Sequence, residues 1–141
     1  MADLRERILA EAENVQRALD QIPSVEKLAL LSELELAGTA ALLHNIYGGI
    51  ENMLKQMLLD HGDKLPEGAS WHRELLSLAG QRGIVHSSTV EALRPFMAFR
   101  HFFSHAYALD LEPDRMETLV SKVGQVVSLV QKDLAEHLGR R

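Results

Sequence analysis

Residues 25–60 read VEKLALLSELELAGTAALLHNIYGGIENMLKQMLLD, and this run decides the fold class. Strong helix formers (Leu, Ala, Glu, Lys, Gln) dominate it, while β-branched alternation is scarce. We read it as one long helix. Gly38 or the Gly48-Gly49 pair offers a place to bend, and the small residues there let another backbone approach closely. Pro23 closes the segment before it, and Ser24 stands where a cap belongs.

The helical pattern continues outward on both sides. Residues 3–21 form an earlier helix, with Leu4, Ile8, Val15 and Leu19 along one stripe. His61, Gly62 and the stretch 63–68 with Pro66 read as a loop. Ser70 opens a short third helix reaching about Gln81, and Gly83 closes it. Ser88-Thr89-Val90-Glu91 has the form of a capping box for a fourth helix, where Pro95 falls early enough to cause only a kink. Glu112-Pro113 starts a fifth, with Pro113 in its first position, ending near Leu138-Gly139. The expectation is an all-α, single-domain antiparallel bundle of about five helices over residues 1–141.

Composition narrows the function classes. At 141 residues the chain fits one domain with a sizeable core, and 46 % hydrophobic with 25 % charged residues is ordinary for a soluble protein. No apolar run approaches membrane-spanning length, and residues 1–14 are charged and helix-patterned, unlike a secretory signal. We therefore expect a cytoplasmic protein without a membrane partner. The absence of cysteine removes disulfides and thiolate metal sites and fits that compartment. A net charge of -5 argues against broad nucleic-acid coating, which needs many cationic contacts, but leaves room for a focused RNA site.

Such a site is suggested by Arg100-His101-Phe102-Phe103-Ser104-His105-Ala106-Tyr107, in a stretch from Ala92 to Leu109 that holds no acid. A phosphate-gripping, proton-moving site needs these residue types. Arginine offers a fixed fork of donors to phosphate oxygens, and histidine is poised for proton transfer near neutral pH. On a helix, Arg100 shares a face with Ser104, and His101 with His105, but Arg100 and His105 stand about 140° apart. Either the helix distorts near Ser104 or a second copy of the chain completes the site. All four phenylalanines fall between Phe96 and Phe103; Phe96, Phe99 and Phe103 share a stripe and read as core, with a share left for an interface. His101 and His105 could bind zinc with His44 nearby, but two ligands do not make a site, and no metal is expected. His61, His72, His86 and His137 read as surface or capping residues. Asn45, Tyr47 and Glu51 lie on the helix facing the site, in packing or hydrogen-bonding roles. The carboxylates show no pair arranged for acid–base work.

Arg100, His105 and Tyr107 together resemble the R-x4-H-x-Y signature of HepT-like toxins in the HEPN superfamily, small helical ribonucleases of prokaryotes. His101 suits the family's preference for Asn, Asp or His directly after the arginine. The segment LLHNIYGGIEN at 42–52 is similar to their long second helix, and WHRELL at 71–76 to the start of their third; the resemblance extends over residues 36–111. It implies a metal-independent, cofactor-free toxin of a toxin–antitoxin pair, an endoribonuclease whose cleft lies between the protomers of a homodimer. RNA, not DNA, would be its substrate. It further implies an MNT-type nucleotidyltransferase antitoxin that adenylylates Tyr107. RNA carries its own 2′-hydroxyl nucleophile, so the protein need only move two protons and stabilise charge on phosphorus. In that scheme Arg100 holds the scissile phosphate and His105 is the principal general acid or base. His101 orients the phosphate or carries the second proton, and Ser104 gives polar support. The alternative is a non-catalytic HEPN-type nucleotide- or partner-binding module associated with a nucleotidyltransferase. A metal-binding helical bundle is a weaker third.

Overall fold

The structure, a computed structural model, describes residues 3–105 and 111–140. It is an all-α bundle: α1 (Leu4–Leu19), a 3-10 helix (Val25–Leu30), α2 (Glu33–His61), α3 (Trp71–Gln81), α4 (Ser87–His105) and α5 (Pro113–Arg140). Asp3 starts α1 by accepting the Glu6 amide at 2.9 Å. Pro113 occupies the first position of α5, as its preset φ and missing N–H favour.

α2 is the central element, packed against α1, α3, α4 and α5. Leu43, Ile46, Ile50, Leu54 and Leu58 are at most 2 % exposed and form one apolar stripe along this helix. α1 lies along it, and the reason is local. A Cβ added at Gly49 would stand 2.6 Å from a Val15 methyl, so only glycine permits this approach. α5 closes the other side with Met116, Val123, Val130 and Leu134 inward. Phe96 and Phe99 of α4 are buried as expected, whereas Phe103, read as core with them, is only half-buried, as is Phe102.

Two expectations are corrected. The long helix does not begin at Val25: the 3-10 helix ends in an extended Leu31, and α2 starts afresh after Ser32. Ser32 and Glu35 form a complete capping box, the Ser32 hydroxyl accepting the Glu35 amide at 3.1 Å and the Glu35 carboxylate accepting the Ser32 amide at 2.9 Å. Ser24 makes no side-chain cap bond. From Glu33 the helix runs without interruption through Gly38, Gly48 and Gly49.

The second correction concerns α4. Ser88 lies inside it, and the Glu91 carboxylate accepts from Arg94 Nε instead of closing a box. One amide and one hydroxyl at this end are held from another helix. Buried Asp133 of α5 accepts the His86 amide at 2.9 Å and the Thr89 hydroxyl at 2.6 Å. Pro95 lies well inside α4, which continues on both sides of it.

Candidate functional site

Arg100 leaves the inner side of α4 and turns toward α2 and α3. Its Nη1 donates to His72 Nε2 at 3.1 Å, and its Nε stands 3.7 Å from Glu51 Oε1. His72 in turn meets Glu51 Oε2 through Nδ1 at 2.6 Å. Three helices thus converge on one polar cluster, in which the Glu51 side chain is 3 % exposed and that of Arg100 28 %. The sequence around Arg100 lacks an acid, but the fold supplies one from α2. The charge of Arg100 is therefore partly neutralised by Glu51.

Tyr47 lies one turn before Glu51 and is 1 % exposed. Its hydroxyl completes no hydrogen bond among the described residues. Burial pushes the phenol well above its ordinary range, and the Glu51 carboxylate adds to that by its charge and as an acceptor within reach of the phenol proton, against the opposing charges of Arg100 and Arg94.

The outer edge of Arg100 lines a groove of about 370 Å³ between α1 and α2. Glu11, Asn14, Val15, Ala18, His44, Asn45 and Asn52 line it too, a mixed polar and apolar set that includes one acid. His44 packs its ring against Phe103 at 5.2 Å between centroids, which joins the groove to the exposed end of α4.

The other expected site residues stand on that end. His101 and His105 are exposed and meet edge-on, with ring centroids 4.7 Å apart, as their shared face predicts. Ser104 is exposed and donates its hydroxyl to the Arg100 carbonyl at 2.9 Å. Within the chain, Arg100 is brought together with His72 and Glu51, while His101 and His105 meet each other. Tyr107 lies outside the described residues.

Sequence reasoning missed His72 and Glu51 as site residues. His72 is not a surface or capping residue, because α3 carries it inward against both Glu51 and Arg100. A signal was present: Glu51 is a carboxylate amid Ile50, Met53 and Leu54, and an acid buried there must find donors. Among the described residues, the His/Asp/Glu group compact enough for a metal is His86, Asp133 and Glu136, not the His44, His101, His105 set. Those three meet where Asp133 clamps the start of α4.

The fold and site define a small helical protein with an anchored arginine beside exposed histidines. A family model for HepT-like protein matches residues 38–140, well over half of the chain. The chain belongs to this HepT-like family, of HEPN type. No curated protein matches it.

Proposed function

We propose that the protein is the toxin of a HepT/MNT-type toxin–antitoxin pair, a metal-independent endoribonuclease acting in the cytoplasm. The observation that carries this reading is Arg100, held from behind by Glu51 and His72 and edging the groove between α1 and α2. An arginine so fixed has little rotamer freedom left to lose on gripping a phosphate. His105 is the principal proton carrier. His101, edge-on to it, orients the phosphate or carries a second proton, with Ser104 in support. In one chain Arg100 points inward while His105 is exposed, so the reading requires a homodimer in which one copy's Arg100 and the other's His105 share a phosphate. An MNT-type nucleotidyltransferase neutralises the toxin by adenylylating Tyr107, which puts a bulky anion near Arg100 to compete with RNA.

The test is cleavage of RNA in EDTA by purified protein, comparing wild type, Arg100→Ala and His105→Ala. Intact masses are recorded first, since adenylate on Tyr107 appears as a mass gain that Tyr107→Phe abolishes. Cleavage by unmodified wild type, lost in both alanine variants, is expected. Inactivity of clean wild-type dimer on several RNAs favours the alternative, a non-catalytic nucleotide- or partner-binding module.

A further inference from the structure

His72 is fixed on three sides. Nδ1 lies 2.6 Å from Glu51 Oε2, Nε2 lies 3.1 Å from Arg100 Nη1, and the Trp71 ring packs at 3.5 Å between centroids. A guanidinium has donors only, so Nε2 must offer it a lone pair. The ring proton is then on Nδ1, donated to Glu51. The imidazole is therefore neutral, in one tautomer, with its basic nitrogen turned toward the arginine that would hold a phosphate. The charged and titratable groups facing it are Glu51 from α2 and Arg100 from α4, with the Tyr47 hydroxyl beyond Glu51. A base beside the phosphate-holding group, oriented by a third group, is part of what proton transfer requires.

We propose that His72 is the general base of RNA cleavage and that Glu51 is its orienting carboxylate. The assignment rests on the ribonuclease reading above and extends it to residues outside the Arg100–Tyr107 motif. A phosphate oxygen is a stronger acceptor than an imidazole nitrogen, so bound RNA takes the Nη1 proton that Nε2 accepts and frees Nε2, while Glu51 keeps the arginine in place. Nε2 takes the 2′-hydroxyl proton as the 2′-oxygen bonds to phosphorus. The 5′-oxygen leaves with a proton from His105, giving a 2′,3′-cyclic phosphate and a 5′-hydroxyl. Glu51 stabilises the imidazolium formed. No oxidant, metal or second substrate enters the balance, and solvent resets both histidines.

The decisive variant is His72→Gln, whose amide oxygen can still accept from Arg100 but cannot carry a proton. Expected are a loss of roughly 10²–10⁴-fold in kcat/KM and of the ascending limb of its pH profile. Binding of a non-cleavable 2′-O-methyl RNA and thermal melting should stay near wild type. Wild-type-like rates with an unchanged pH profile overturn the assignment and leave His72 a positioning residue. Equal loss of RNA binding and rate does the same. Should His72→Gln fail to fold, ¹⁵N spectra of the wild-type histidine rings decide. A proton on Nδ1 of His72 is expected, and one on Nε2 overturns the proposal without reference to activity. Wild type that cleaves no RNA overturns the ribonuclease reading itself, and the assignment with it.

Discussion

Glu51 shows at the scale of one residue why the site is where it is. A carboxylate side chain 3 % exposed is costly unless partners surround it, and those it finds are a hydrogen bond from His72 and an ion pair with Arg100. Its need for partners is legible in the sequence, since it interrupts the apolar side of a helix. Their identity is not, because they lie 21 and 49 residues away from it in the chain (His72 and Arg100) and only packing brings them in. Tyr47 offers a test of the same interior. Its buried hydroxyl makes no hydrogen bond of good geometry although the Glu51 carboxylate is near enough to bear on its titration, so Tyr47→Phe should change stability by no more than about 1 kcal/mol in urea denaturation near pH 7. The alkaline response has a definite sign. The folded phenol titrates above the unfolded one, so this contribution is intact below about pH 10 and is lost as pH rises beyond it. Tyr47→Phe should accordingly flatten the decline in stability above about pH 10. A destabilisation above about 1 kcal/mol at neutral pH would mean that the hydroxyl is bonded.

Among elements, α2 and its neighbours divide what periodicity can show from what it cannot. The stripe of α1 and the start of α5 at Pro113 follow from local signals and appear as read. The break between the 3-10 helix and α2 escaped because helix formers continue across it, while the Ser32–Glu35 box inserts a new start. At α4, Asp133 supplies the cap from α5, a partner that no local pattern announces. The adjacent glycines of α2 make the contrast measurable. Gly48 has open space where a Cβ would go, so Gly48→Ala should stabilise by up to about 1 kcal/mol through helix propensity alone. Gly49 meets Val15 of α1, so Gly49→Ala should cost about 1–3 kcal/mol. Urea unfolding of the two variants checks this, and shifts of the same sign would contradict the packing of α1 on α2.

For the whole molecule, the helical class and the family were legible from helix-forming composition and from the short Arg100–His105–Tyr107 spacing. The anchoring of Arg100 was not, since it depends on how three helices meet. None of the described helices is long and apolar enough to cross a membrane. α1 precedes the segment matched by the family, yet it walls the groove beside Arg100 and packs extensively on α2. The central claim is that the site is shared between two copies, because one chain turns Arg100 inward while His105 stays exposed. Mixing tests it most directly. Inactive Arg100→Ala and inactive His105→Ala proteins are unfolded together, refolded to redistribute subunits, and assayed for RNA cleavage. Random pairing makes half the dimers mixed, each with one intact site of two, so about a quarter of wild-type activity should return. A mixture as inactive as its components, with mixed dimers verified by mass, would contradict a shared site.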